Sequence, residues 1–187
     1  MSRIAHLLRE QMDGEQRRIF DLISNGPRGA VAGPLAAWLH SPGLADRAQA
    51  LGVYCRYESR LLPRLSELAI LVVGAYWQSG FEWVVHAREA RAAGLSDQVI
   101  DAIRERRVPP LDQLDEAAVY HFASDLMQNR RVSSIRFNAA AELLGNAALV
   151  DLVGILGYYT LICMTINAFE LPPPAGVSDP FAGADTL

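Results

Sequence analysis

The sequence predicts an all-α fold of about eight helices arranged around a central helical hairpin. Three observations predict it. Apolar residues recur at helical spacing in one segment after another, and no run alternates with period two between hairpin turns, so no strand is expected. Ser, Asp and Pro stand just ahead of those segments, and Gly or Pro just behind, which is how helices start and stop. Two segments, 68–73 and 152–169, are too continuously apolar for surface elements and are expected inside the bundle.

Each element follows in order. Asp13 caps a helix over 15–24, whose apolar side is Ile19, Phe20, Leu22 and Ile23. Asn25-Gly-Pro-Arg-Gly ends it, and a loop rich in Gly and Pro follows, with a short apolar piece at 35–39. Ser41 and Pro42 read as the N-cap and first position of a helix reaching about Glu58. Pro63 opens the next, which runs to about Trp77. After a break at Ser79-Gly80 the second hairpin helix covers 81–93 and is closed by Gly94. Ser96 caps a helix carrying Val99, Ile100 and Ile103, and Pro109-Pro110 stop further helix. Asp112 or Asp115 begins one to about Asn129, with Val119, Phe122 and Leu126 facing inward. Ser133 or Ser134 caps another that Gly145 ends, and the long apolar helix spans about 147–170. Residues 1–171 read as one domain, and 172–187 as an extended tail with too little apolar content to pack well alone.

Composition narrows the function classes. At 187 residues the chain can bury a real core. A net charge of −4 and a pI near 5.5 argue against nucleic acid as the main partner, which calls for a basic surface. Cys55 and Cys163 lie far apart in apolar surroundings, so no disulfide framework is expected and each reads as a small core residue. With no apolar leader at the N-terminus, the expected compartment is the cytoplasm. Residues 152–169 carry no charge and are long enough to nominate a membrane span. Their Gly, Tyr, Thr and Asn content and the lack of flanking Lys or Arg favour a buried core helix, so no membrane partner is expected.

The chemistry concentrates on 67–86. Glu82 and His86 are four apart and share one face of a helix; Glu67 sits in the preceding apolar helix. There is no phosphate loop, no nucleophile elbow, no H-E-x-x-H and no C-x-x-C. Glu82 and His86 supply only two ligands where a metal site needs a third, so neither metal nor organic cofactor is expected. A carboxylate beside an imidazole does tune its proton affinity, and Glu67, Glu82 and His86 together make a proton-transfer set. The bland counterpart is an i,i+4 Glu–His pair on a helix surface, which commonly does nothing. Arg56, Arg60 and Arg64 form either a carboxylate-binding group or a solvated basic stripe. Trp38 and His40 are candidates for a pocket mouth, and Tyr158, Tyr159, Thr160 and Asn167 are polar groups on a buried helix that need partners.

E-L-A-I-L, a Gly break, E-W-x-x-H and A-x-x-A-G-L-S-x-x-x-I, in that order over 67–103, resemble the carboxymuconolactone decarboxylase family, which shares its helical fold with the AhpD alkylhydroperoxidases. The likeness extends more loosely from the Gly-Pro-Leu at Gly33 to G-Y-Y-T and N-A-F-E-x-P near the end. In the peroxidase branch a Glu, a C-x-x-C pair and a His share this hairpin. Matching Glu67 and His86 to that Glu and His puts Ser79 and Glu82 at the two cysteine positions. Neither forms a thiolate, so disulfide chemistry through this pair is excluded.

The resemblance therefore implies the decarboxylase-like branch: a cofactor-free lyase or isomerase acting on a small carboxylated cyclic substrate. It makes His86 the proton donor, Glu82 its partner or an alternate acid, and Glu67 the orienting group. Arg56, Arg60, Trp83 and Ser79 are the candidate substrate contacts. It also implies a homotrimer or hexamer. Two alternatives stand beside it: a non-catalytic oligomeric or ligand-binding member of the fold, and a residual redox protein using Cys55 or Cys163.

Overall fold

A computed structural model describes residues 2–183, so the end of the expected tail, 184–187, lies outside the described residues. Eight α-helices and no strand occur among them: α1 Gly14–Ser24, α2 Pro34–Trp38, α3 Pro42–Val53, α4 Pro63–Tyr76, α5 Gly80–Ala92, α6 Asp97–Arg104, α7 Leu114–Asn129 and α8 Ser134–Phe169. Most starts follow the local chemistry. Asp13 accepts from the Gln16 N–H at 2.8 Å while the Gln16 side chain accepts from the Asp13 N–H at 2.9 Å, a reciprocal cap. Ser96 accepts from the Val99 N–H at 3.3 Å. Pro34, Pro42 and Pro63 each take the first helical position, where the missing N–H costs nothing.

The bundle is built around α4. Every residue from Leu65 to Ala75 is buried, and α5, α7 and α8 all pack along it. A helix that is apolar on all sides is stable only when surrounded, and each buried Leu or Ile contributes about 1.5–3 kcal/mol relative to exposure. Arg64, in the first turn of α4, donates to Asp115 at 2.6 Å and to Glu116 at 2.7 Å at the start of α7. It staples two helices and takes no part in any stripe.

The hairpin reversal is one residue earlier than the sequence suggests. Gln78 adopts a left-handed φ of 49°, and the N–H groups of Gln78 and Ser79 return to Ala75 O and Gly74 O at 3.3 and 3.0 Å, closing α4. Gly80 is not left-handed; a Cβ there would collide with the Asp179 carboxylate. The described part of the tail thus folds back onto α5, with Phe181 edge-on to Trp83 at 5.5 Å between centroids.

One element differs from the sequence reading: the helix expected to reach Glu58 leaves α geometry after Val53 and finishes as a π turn, Tyr54–Glu58. The break expected at Gly145 is present: its backbone is non-helical (φ 77°, ψ 160°) and divides α8 into two helical segments joined at a kink. By length and composition α8 could cross a membrane, yet 61% of its most apolar window is buried against the rest of the chain. It is a core helix with one open face.

Candidate functional site

Glu67 comes from the second turn of α4, and Glu82 and His86 from one face of α5. Packing the hairpin brings the three together. The Nδ1 of His86 lies 2.7 Å from Glu67 Oε2, and its Nε2 lies 2.9 Å from Glu82 Oε1. All three are buried, at 7%, 4% and 3% exposure for Glu67, Glu82 and His86. Tyr159 of α8 stands edge-on to the imidazole, with centroids 5.0 Å apart. The surface-pair reading is thereby ruled out: this i,i+4 pair is in the core, and a third group completes it.

Burial alone would pull the imidazole toward neutrality. The charge of Glu82 and the contacts to both carboxylates outweigh it and hold His86 up, at about 9. In its protonated form the ring presents one N–H to each acid. Tyr159 is pushed well above the usual phenol range, first by burial and then by the charge of Glu82, so it stays an O–H donor.

The set opens onto a cavity of about 340 Å³ lined by Arg28, Arg56, Glu82, His86, Tyr158 and Tyr159 among others. Glu67 lies behind the imidazole, outside that lining. Arg56 reaches the cavity from the π turn; it forms no ion pair among the described residues and lies over the Tyr57 ring at 5.4 Å. Arg28 donates to the Tyr158 hydroxyl at 3.2 Å, while its Nε is buried without a partner. A side chain at Gly52 would collide with both Tyr158 and Arg28, so glycine there keeps room for the pair. The cavity therefore places cations and phenols opposite a carboxylate–imidazole relay. A larger cleft of about 510 Å³ lies elsewhere, between α4, α6 and α7, and its lining holds no carboxylate or imidazole.

Several candidates lie away from the cavity. Arg60 bonds Asp151 through its backbone N–H at 2.9 Å and Tyr54 through its guanidinium at 3.2 Å. Trp83 is buried against Gly74 and Phe181, and Ser79 is sealed with its hydroxyl beside the Cys163 thiol; neither lines the cavity. Trp38 is an interior anchor, donating to Thr165 Oγ1 at 3.0 Å, and His40 is exposed with Nε2 2.8 Å from Ala5 O. Neither forms a pocket mouth at the site. Cys55 and Cys163 are buried; burial raises Cys55 to about 11 and Cys163 further, so neither offers a thiolate. Sequence reasoning missed Arg28, because a cation in a Gly-Pro turn carries no periodic signal.

Solved structures share this fold. A protein of unknown function from Agrobacterium tumefaciens that carries the AhpD name is 18% identical, with a TM-score of 0.67 over 77% of this chain and 99% of its own. An uncharacterized peroxidase-related protein from Silicibacter is 16% identical, with a TM-score of 0.75 over 93% of this chain and 92% of its own. A third, described as an alkylhydroperoxidase AhpD core from Ralstonia eutropha, is 17% identical, with a TM-score of 0.74 over 93% of each chain. No curated protein matches. The family model of the Carboxymuconolactone decarboxylase family matches residues 42–125, the stretch that supplies Arg56, Glu67, Glu82 and His86. That stretch is thus similar to the Carboxymuconolactone decarboxylase family, and the fold as a whole is AhpD-like.

Proposed function

We propose that the protein is a cofactor-free proton-transfer enzyme, a decarboxylase or isomerase, acting on a small cyclic substrate that carries a carboxylate. One observation carries this reading: a buried Glu67–His86–Glu82 relay opens onto a cavity that also holds an unpaired guanidinium, Arg56. In a decarboxylation, the bond between a ring carbon and its carboxylate breaks, CO₂ leaves, and the bonding pair passes into a conjugated carbonyl as an enolate. Such a step needs a poorly solvated site, donors for the developing oxygen charge and an acid for the carbon. Arg56 and Tyr159 are the donors.

Both imidazole nitrogens face carboxylates, so His86 reaches the substrate through Glu82. Glu82 takes the Nε2 proton and hands it to carbon, and water restores it to the ring. Glu67 holds Nδ1 and keeps the imidazole oriented. Of the two acids the sequence offers, His86 and the alternate Glu82, this reading gives the last step to Glu82. Isomerisation uses the same shuttle without loss of CO₂. We place the activity in the cytoplasm, where the two unpaired thiols stay reduced.

The test is CO₂ release or double-bond migration with a panel of small unsaturated lactone carboxylates. The wild type is expected to turn over at least one, and Glu82→Gln to lose at least a hundredfold in kcat with its helical content intact. Full activity in both Glu82→Gln and His86→Ala overturns the proposal.

A further inference from the structure

The cleft of about 510 Å³ between α4, α6 and α7 takes no part in the proposed reaction. Glu67 in the relay and Ala75 in the cleft wall are about 12 Å apart along α4, at about 1.5 Å per residue, so the two places are separate. Its volume falls in the range of small-molecule sites, about 300–1,000 Å³, and its walls have their character: apolar and aromatic, with few polar groups. Val72, Ala75 and Ile103 are buried apolar residues that form its floor. The rings of Tyr76 and Trp77 meet at 80° with centroids 5.9 Å apart, which makes a corner of two aromatic walls. A flat ring set in that corner stacks on one wall and turns its edge to the other.

Two polar groups on this lining lack the partners their types normally have. Arg106 forms no ion pair among the described residues; its nearest acceptors are Ala75 O and Tyr76 O, both at 3.5 Å, the outer edge of hydrogen-bond distance. Arg107 beside it is already engaged, donating to Glu105 at 2.6 and 2.8 Å. No carboxylate lines the cleft, so the Arg106 guanidinium stands at its rim without a counter-ion. Ser124 of α7 is the second group. A helical Ser or Thr commonly returns its hydroxyl to a carbonyl one turn back, as Ser66 does to Pro63 O at 3.0 Å and Thr165 to Leu161 O at 2.8 Å. The Ser124 hydroxyl makes no hydrogen bond among the described residues, although the residue is only 8% exposed, and the cleft is where it opens.

We propose that this cleft binds a small planar arene carboxylate, at a site distinct from the cavity of the relay. The ring lies in the corner of Tyr76 and Trp77 above the apolar floor. The carboxylate meets the Arg106 fork, whose paired N–H groups match its two oxygens. Ser124 offers the floor a hydrogen bond for a polar ring substituent. A neutral arene leaves the cation unmatched, and a flexible alkyl acid leaves the aromatic corner unused. The site stands whether or not the relay turns over a substrate.

Titration calorimetry with 2-naphthoate tests this, with its neutral carboxamide and decanoate for comparison. The full-length Arg56→Ala protein is the background, so that the cation of the relay cavity does not compete. One 2-naphthoate per chain is expected, with a Kd below about 1 mM, which a ligand of this size reaches even at low efficiency per atom. The carboxamide and decanoate are each expected to bind at least tenfold more weakly. Adding Arg106→Gly is expected to bring naphthoate and carboxamide within threefold of each other. Arg106 has a left-handed φ of 56°, which glycine adopts freely, so this variant keeps its fold. Ser124→Leu fills the floor and is expected to weaken both arenes at least tenfold. No saturable binding, a preference for the acid that survives Arg106→Gly, decanoate as tight as naphthoate, or unchanged affinity in Ser124→Leu each overturns the proposal. So does a loss of assembly mass in Arg106→Gly by light scattering, because a second copy would then be what fills the cleft.

Discussion

Along α5 an acid and an imidazole lie in the core beside a second buried acid from α4, whereas along α8 apolar residues such as Val150, Val153 and Met164 face outward, and the one charge between Asn146 and Ala168, Asp151, is buried. The hairpin buries what water would solvate, and the helix exposes what water rejects. Neither arrangement is what stability alone selects. A buried ionic set recovers little more than its own desolvation, and an apolar group left in water forgoes its burial energy. In the hairpin the departure supplies the groups that the proposed reaction uses; on α8 it leaves an apolar face open. The rest of the molecule obeys the ordinary partition, which is why these two places stand out.

The largest expected effect separates the hairpin's charges from its packing. His86→Ala removes the only cation between two buried carboxylates and is expected to destabilise the fold by about 3–5 kcal/mol. Replacing all three groups together, as Glu67→Leu/Glu82→Leu/His86→Leu, is expected to be neutral or stabilising, because an apolar trio leaves no unpaired charge. Urea unfolding of both variants gives the comparison. A single variant within about 1 kcal/mol of wild type, a tenth or so of a usual domain stability, would show that these charges are not confined as the geometry implies.

Next comes pH. The folded pKa of His86 is raised from 6.5 to about 9, so the stability it contributes is fully present below about pH 6.5 and is lost as pH rises through about 9. The shift corresponds to roughly 3 kcal/mol, a magnitude set by Glu82 and Glu67 facing the ring. Stability should therefore decline between pH 6.5 and 9, and the decline should vanish in the triple apolar variant. The outward face of α8 carries no titratable group and should add no pH dependence over that window. A flat stability profile in the wild type breaks the distinction between the two regions.

Much of this was legible in the sequence because each feature has a local signature. Asp13, Ser96 and the three helix-opening prolines mark starts, and the apolar run after Leu65 admits only burial. Glu67, Glu82 and His86 stood out as polar residues among apolar ones. What stayed hidden depends on contacts distant in sequence. Arg28 enters the cavity because Gly52 leaves room for it and Tyr158 holds it, and no local pattern encodes that meeting. Gly80 reads as a turn residue, but its smallness serves the returning Asp179. Arg60 looked like a ligand for substrate until Asp151, far along the chain, claimed it. Uncharged residues 152–169 signalled burial, yet which side stays open is decided only by what packs against the other.

The smallest expected effect concerns Ser79, which the resemblance sets at a cysteine position of the peroxidase-type hairpin. Its hydroxyl is fully buried, and its one partner among the described residues is the Cys163 thiol, a weak one. A buried donor so weakly satisfied keeps much of a desolvation penalty of about 1–3 kcal/mol, part of which the structure recovers in packing. Ser79→Ala removes the hydroxyl and leaves the backbone cap of α4 untouched, so it is expected to be neutral or to stabilise by up to about 1 kcal/mol. Because Ser79 does not line the cavity, turnover in this variant should equal wild type, in contrast to the collapse expected for Glu82→Gln three residues on. Thermal unfolding and the same turnover assay decide both halves. Should Ser79→Ala lose activity while gaining stability, the hydroxyl would be spending fold energy on the reaction, and the boundary of the site would have to move from the cavity wall back to the start of α5.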